Sequence, residues 1–263
     1  MKVGLIQFAP ALAERDETIR RIDPLINRCK GADIVVLPEL CNSGYNFPSP
    51  EIAWNGSEVI EESIFIRYLE DKCRDLGFHV VCGFCERDGG LLFNSAVLIG
   101  PNGVVGKYRK LHLFMNEKDY FQPGDMGLPI FDLGFCKIGM LVCFDWFFPE
   151  VWRILSLEGA DIICHPSNLV LPGLAQKAIP VHALTNRIFV ATCNRVGSEG
   201  DLHFTGLSLI ADPKGEVLAE ASQEGTDVLL REIDVNRARD KNITKRNHLF
   251  HDRRPREYIS LVR

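Results

Sequence analysis

The feature that most restricts the fold of this chain is that its second half repeats the order of its first. Lys2-Val3-Gly4-Leu5 returns as Lys137-Ile138-Gly139-Met140, and Gly31-Ala32-Asp33-Ile34 returns as Gly159-Ala160-Asp161-Ile162. A proline closes the apolar run after each second segment, Pro38 in one half and Pro166 in the other. Residues 95–103 (SAVLIGPNG) resemble residues 207–215 (LSLIADPKG). Each half therefore reads strand, helix, strand, helix, strand, hairpin. Residues 2–7 form a buried strand. Residues 14–29 form a helix, with Ile19, Ile22, Ile26 and Cys29 at three- and four-residue steps and Pro24 expected to kink it or end its first part. Residues 34–37 form a second strand that stops at Pro38-Glu39, before a loop rich in Asn, Ser, Gly and Pro that runs to Pro50. A helix is expected near residues 58–76 and a strand over 78–84. Residues 94–99 and 104–108 flank the turn sequence Gly100-Pro101-Asn102-Gly103. Two such units bury their sheets best by packing them face to face with helices outside, an α/β fold of four layers, α-β-β-α. Corresponding strand ends then meet at one rim. No linker or low-complexity stretch divides the halves, so residues 1–263 are expected to form one domain.

At 263 residues the chain can bury one large α/β core. Its 30 Lys and Arg against 35 Asp and Glu give a net charge of −5, which argues against a nucleic-acid footprint. Lys2, the apolar residues 3–8 and Ala11-Leu12-Ala13 have the outline of a signal peptide, but Gln7 and Pro10 interrupt the run and charged residues follow. No stretch approaches the ~18 apolar residues of a membrane span. A cytoplasmic location is expected. The cysteines at 29, 41, 73, 82, 85, 136, 143, 164 and 193 are odd in number and lack an export signal, which argues against a disulfide framework. Cys82-Gly83-Phe84-Cys85 matches C-x-x-C. In a strand, however, a spacing of three points the two thiols to opposite faces, and no second pair completes a zinc site. Core packing is the better reading. From residue 236 the chain turns polar and basic, with Leu249, Phe250, Tyr258, Ile259 and Leu261 interleaved. Those apolar residues predict that the tail, residues 236–263, packs on its own fold or on a partner subunit.

Chemistry-bearing residues stand at the strand ends. The apolar, β-branched run 138–142 suits a buried strand that closes at Cys143, and Phe148-Pro149-Glu150 reads as a helix start. A thiol on such a turn has the placement of an α/β-hydrolase nucleophile, although G-x-S-x-G is absent. The helix end is expected to favour a thiolate and to hold an oxyanion. Free cysteine is more often a small buried apolar residue, so position alone decides nothing. Glu39 ends the second strand, either as a solvated loop acid or as a buried general base. Lys110 follows the hairpin in Tyr108-Arg109-Lys110-Leu111-His112-Leu113-Phe114, and Glu117 comes seven residues later. Singly, both read as surface charges. Together, Glu39, Lys110 and Cys143 supply a base, a cation for an oxyanion and a nucleophile, the three roles of acyl transfer through a thioester.

With those residues in place the chain resembles the nitrilase superfamily of carbon–nitrogen hydrolases. The matching stretches are Leu37-Pro38-Glu39-Leu40, residues 108–114, Cys143-Phe144-Asp145 with Phe148-Pro149-Glu150, and His165-Pro166-Ser167-Asn168, in the family's order. The resemblance implies a Glu39–Lys110–Cys143 triad, with Glu117 in the place of a supporting second glutamate. It implies the four-layer sandwich, homodimers or larger assemblies, and no metal or organic cofactor. Tyr45, Phe114, Phe144, Trp146, Phe147 and Asn168 lie beside these motifs and are expected to form the substrate-binding wall, with the Phe144 N–H also facing the oxyanion. The substrate class implied is a small amide, N-carbamoyl amine or nitrile. Family members committed to nitriles often carry Cys-Trp-Glu and a longer C-terminal extension. Cys-Phe-Asp and an end at Arg263 tilt the expectation toward amides and N-carbamoyl amines, with small aliphatic nitriles as the alternative. Two readings of other kinds stand beside it: a cysteine–histidine hydrolase using His112 or His165, and a non-catalytic interaction module of the same fold.

Overall fold

Alternation of apolar side chains along each strand sets the layers of the computed structural model, which describes residues 1–262. The first half contributes β1 (Lys2–Gln7), β2 (Ile34–Val36), β3 (His79–Asp88), β4 (Leu91–Gly100) and β5 (Gly103–Arg109). The second contributes β6 (Ile130–Asp132), β7 (Lys137–Met140), β8 (Ile162–Pro166) and β9 (Phe189–Cys193). A small pair follows, β10 (Ser198–Glu199) and β11 (Leu202–His203), and then β12 (Leu209–Ala211), β13 (Val217–Glu220) and β14 (Asp227–Glu232). Val3, Leu5, Ile34, Val36, Ala96 and Leu98 point into the central layer, where the second sheet's Ile138 and Met140 also lie. Their neighbours Ile6, Val35, Leu37, Val97 and Ile99 point the other way, under the helices α1 (Arg15–Ile26) and α3 (Ile64–Leu76). On the far side, α5 (Pro149–Leu157) and α6 (Leu174–Asn186) cover the second sheet with Val151, Leu155, Ile179 and Ala183. This is the four-layer sandwich.

The repeat is present strand for strand. One sheet runs β14-β1-β2-β3-β4-β5 and the other β6-β7-β8-β9-β12-β13. In each, three parallel strands lead into an antiparallel hairpin, and an antiparallel strand flanks the first of the three. The repeated Gly-Ala-Asp has a physical reason. Asp33 Oδ2 accepts the Lys2 N–H at 2.6 Å and Asp161 Oδ2 accepts the Lys137 N–H at 3.0 Å. The Asp33 N–H donates to Lys2 O at 2.8 Å and the Asp161 N–H to Lys137 O at 2.9 Å. Each aspartate thus clasps the start of the preceding parallel strand and fixes its register.

Several elements depart from the sequence expectation. The helix expected near residues 58–76 starts as α3 only at Ile64, where the Ser63 hydroxyl accepts the Ile66 N–H. Pro24 lies inside α1 without ending it, since the carbonyl it leaves unbonded belongs to the exposed Arg20; the helix tightens into a 3₁₀ turn only at Asn27–Cys29. The loop before residue 58 holds a further helix, α2 (Pro50–Gly56), started by Ser49, whose hydroxyl accepts the Ile52 N–H, with Pro50 in the first turn. The strand expected over 78–84 runs on to Asp88, because the buried Glu86 is neutralised by Lys107 and Arg109 of β5. Cys82 and Cys85 are both buried and fall in different apolar clusters, as their spacing predicts.

The short helices α4 (Glu117–Tyr120) and α7 (Asn236–Arg239) lie beside the site and at the start of the tail. The tail begins on its own fold: Arg239 bonds the clasp residue Asp161 at 2.9 Å, and Lys241 Nζ donates to Arg187 O at 2.7 Å beyond the end of α6. Among the described residues no helix is long and apolar enough to cross a membrane.

Candidate active site

Glu39 leaves β2 along a path that only glycine permits. Pairing with β3 continues past Val36: the Leu37 N–H donates to Val81 O at 2.9 Å and the Gly83 N–H to Pro38 O at 3.1 Å. A Cβ on Gly83 would stand 2.3 Å from Glu39 Cα, so the two backbones meet because residue 83 has no side chain. Leu40 then adopts a φ of 46°, uncommon for any residue but glycine, and the Glu39 carboxylate is left fully buried.

Lys110 follows β5 and donates from Nζ to Glu39 Oε1 at 2.7 Å and to Glu117 Oε1 at 2.6 Å, all three side chains being buried. Asn94, within β4, donates from Nδ2 to Glu39 Oε1 at 2.7 Å and lies 3.4 Å from Glu117 Oε2. Tyr45 donates its hydroxyl to Glu117 Oε1 at 2.7 Å. Burial would strip Lys110 of its proton, but Glu117 and Glu39 outweigh it and hold the ammonium above its ordinary range. Burial raises the Glu117 carboxyl, Lys110 draws it back and the Glu39 charge raises it again, leaving it pushed up to about 7. Burial also keeps the Tyr45 phenol protonated, with Glu117 and Glu39 adding to the effect, so it remains a donor.

Cys143 stands where β7 gives way to a 3₁₀ turn, Cys143–Phe147, with a left-handed φ of 41°. Strain of this kind is held by surrounding bonds, and here Asp145 supplies them. Its Oδ2 accepts the Val142 N–H at 2.9 Å and the Tyr108 hydroxyl at 2.8 Å, and its Oδ1 accepts His112 Nδ1–H at 2.7 Å. Lys110 sits midway between Tyr108 and His112, so one carboxylate ties the lysine segment to the cysteine turn. Burial pushes the Cys143 thiol well up, and the Glu39 charge pushes it further; Lys110 and the Asn168 backbone N–H oppose without prevailing. The expected thiolate at a helix end is therefore not the resting form. The α-helix starts only at Pro149, and burial decides the balance. What the fold presents is a thiol with Glu39, Lys110 and Glu117 as its charged neighbours.

A cleft of about 10 Å³, room for roughly one water, opens at Cys143 and is lined by Phe114, Phe144, Trp146, Asn168 and the apolar run Leu169-Val170-Leu171. Tyr45 faces a second recess on the Glu117 side. Phe147 does not line the cleft. It is 56 % exposed and packs at ring distances of 5.8 Å from Phe144 and 4.9 Å from Trp146. In a 3₁₀ turn successive side chains point about 120° apart, so neighbouring aromatics cannot all face one side. The two histidines point elsewhere. His165 Nε2–H donates to the Cys143 carbonyl at 2.9 Å, and burial pushes the ring down to about 4, so it is neutral. His112 bonds Asp145 and stacks on Phe148 at 3.6 Å.

The carbon–nitrogen hydrolase family model matches residues 2–242. The chain belongs to the carbon–nitrogen hydrolase family. A protein of Pyrococcus abyssi named nitrilase is 47 % identical over 98 % of this chain and 99 % of its own length. A 2-oxoglutaramate amidase of Bacillus subtilis is 32 % identical over 89 % of this chain and 90 % of its own. The crystal structure of a carbon–nitrogen hydrolase from Helicobacter pylori superposes with a TM-score of 0.90 at 27 % identity, covering 100 % of this chain and 98 % of that one. As a carbon–nitrogen hydrolase, the chain carries four groups that sequence reasoning passed over: Gly83, Asn94, Asp145 and the wall 169–171. Asn94 did leave a signal, an amide inside an otherwise apolar strand. Gly83 left none, since its role depends on a close approach to Glu39, and Asp145 stood in the Cys143-Phe144-Asp145 stretch with no sign of its bonds to Tyr108 and His112.

Proposed function

We propose that this hydrolase cleaves a small amide, N-carbamoyl amine or nitrile through a covalent bond to Cys143. The observation that carries the reading is the Lys110 ammonium held at 2.7 and 2.6 Å between two buried carboxylates beside a strained cysteine. Glu39 takes the thiol proton as the sulfur attacks the amide carbon, and Lys110 with the Phe144 N–H holds the oxyanion. The protonated Glu39 then gives that proton to the departing ammonia or amine, leaving a thioester. A water loses its proton to Glu39 and attacks the thioester, and the proton returns to the thiol as the carboxylic acid leaves. Glu117 keeps Lys110 in place and faces the substrate nitrogen. A nitrile first adds the thiol to give a thioimidate, one water adds to that and expels ammonia to leave the same thioester, and a second water hydrolyses it. The nitrile reading gains from the Pyrococcus abyssi relative, which is matched over 99 % of its own length and is named nitrilase. Length therefore no longer favours amides.

An ammonia-release screen over small amides, N-carbamoyl amines and nitriles tests the reading, with mass spectrometry of the intact chain for an adduct on Cys143. Turnover with no adduct trapped in any arm, and undiminished in Cys143→Ala, would sink it. An idle module of the same fold would give neither turnover nor adduct.

The chain is further proposed to work as a homodimer in the cytoplasm. Ile154, Ile243, Tyr258, Ile259 and Leu261 line an apolar groove of about 1000 Å³ between α5, α6 and the tail, and all five are exposed. A second copy seated on that face would take these five exposed apolar side chains out of water. Sedimentation of the full chain and of one lacking residues 245–263 decides it: a micromolar monomer in both would rule out the dimer.

A further inference from the structure

The proposed hydrolase activity leaves open which side chain the substrate carries. We infer that the cleft beside Cys143 takes a short, uncharged, apolar chain and turns away a carboxylate or an ammonium group in its place. The inference rests on the hydrolase reading and adds the substrate class to it.

Three observations carry it. First, the wall is apolar: Phe114, Phe144, Trp146, Leu169, Val170 and Leu171 surround the thiol, and none of the lining residues carries a charge. Second, the charges that do stand near the sulfur are already paired with one another. Lys110 is spent on Glu39 and Glu117, so no free cation remains for a substrate carboxylate. The acids are committed as well: Glu117 Oε1 accepts both Lys110 and Tyr45, and the unpartnered Glu39 Oε2 is the proposed base for the thiol proton, so an ammonium seated there would block the reaction. The recess on the Glu117 side offers only neutral partners besides that acid, among them Asn46, Asn116 and Tyr120. Third, the cleft's own polar side chain points to an N–H ligand. Asn168 is buried, its Nδ2 is committed to the Glu39 carbonyl at 3.0 Å, and its Oδ1 has no partner. A lone acceptor receives an amide N–H and repels a carboxylate. A charged chain end would thus lose its water and meet no counter-ion. The cleft has room for roughly one water in this structure, so even a short chain requires its wall side chains to move apart and a longer one more so.

The test is a matched set in which only the terminal group changes: butanamide, succinamate and 3-aminopropanamide, with butyronitrile, 3-cyanopropanoate and 3-aminopropionitrile as the nitrile arm. Ammonia release should give the neutral member of the active arm a kcat/KM at least about 100-fold above both charged ones. Charged members within about tenfold of the neutral one would overturn the inference. So would silence from all six while some other small amide or nitrile is turned over. No turnover and no Cys143 adduct with any compound would instead overturn the hydrolase reading beneath it. A variant locates the effect: Leu171 is 40 % exposed at the cleft, so Leu171→Arg should fold. It should raise succinamate or 3-cyanopropanoate at least about tenfold relative to the neutral partner, and no gain would remove this cleft as the chain's binding place.

Discussion

Asn94 Nδ2 lies 2.7 Å from Glu39 Oε1, the oxygen that also accepts Lys110. With both donors on one oxygen, Glu39 Oε2 is buried without a partner, and it is the atom free to take a proton. Asn94→Ala should let the carboxylate turn and lower kcat by about 10- to 100-fold with little change in KM, as a hydrogen bond to a charged group contributes ~1.5–3 kcal/mol. Steady-state kinetics on any turned-over substrate checks this. An unchanged kcat in a folded variant would show that Lys110 alone holds the base.

Cys143→Ala should abolish turnover and leave the fold intact, since the change is small and at a cleft edge. Cys82→Ala and Cys85→Ala sit in apolar clusters and should keep most activity, with losses of about 1 kcal/mol in stability. Lys110→Ala differs from all three. It removes the ammonium from between two buried carboxylates, so alongside the loss of turnover the melting temperature should fall, by the equivalent of ~3–5 kcal/mol. Circular dichroism melts beside ammonia assays separate the two effects; a Lys110→Ala protein as stable as the parent would mean that the carboxylates had become neutral.

Glu117 gives the protein a pH dependence of defined sign. Burial, Lys110 and Glu39 together leave its carboxyl at about 7 in the fold, against 4.5 for a solvated glutamate. A group that binds its proton more tightly when folded adds stability below about pH 4.5, and that stability fades as pH rises through about 7. The melting temperature of the parent should therefore decline between pH 5 and 8 more than that of Glu117→Gln, which has nothing to titrate there. Parallel curves for the two proteins would contradict the assignment.

The histidines make the sharpest contrast with a cysteine–histidine mechanism. His112→Ala loses its Asp145 bond and its stack on Phe148, and should cost ~1–2 kcal/mol of stability while turnover stays within about tenfold. A catalytic base would cost on the order of 10⁴-fold. Kinetics of the folded variant distinguishes the two by several decades.

The sandwich and three of the four charged or nucleophilic side chains were legible for a local reason. Cys143 closes an apolar run, Glu39 follows one after a proline and Lys110 follows a hairpin strand, and strand ends of a duplicated unit meet on one rim; Glu117 came only from the resemblance. Asn94 was not, because its partner Glu39 lies 55 positions away and its neighbours read as core. The extra turn α2 hid in a loop-like composition, though Ser49-Pro50-Glu51 carried a helix start. The far end of β3 was masked by Glu86-Arg87-Asp88, whose charges look solvated until Lys107 and Arg109 are placed beside Glu86. Phe147 failed for the opposite reason, since adjacency to Cys143 in sequence says nothing of direction in a 3₁₀ turn.

The strand that borders β1 is β14, near the other end of the chain; the Met1 amino group donates to Ile233 O at 2.8 Å and the Ile233 N–H returns to Met1 O at 2.8 Å. The second sheet has its matching strand, β6, immediately before β7. Synthesis therefore completes the two halves in different orders. The later half can close its sheet from its own consecutive residues. The earlier half emerges from the ribosome with the backbone groups of β1 open along one edge, and stays so until residue 232 has been added. An open edge invites pairing with a neighbouring nascent chain. The first sheet of this protein is thus the part whose solubility during translation depends on the latest of its own strands, β14.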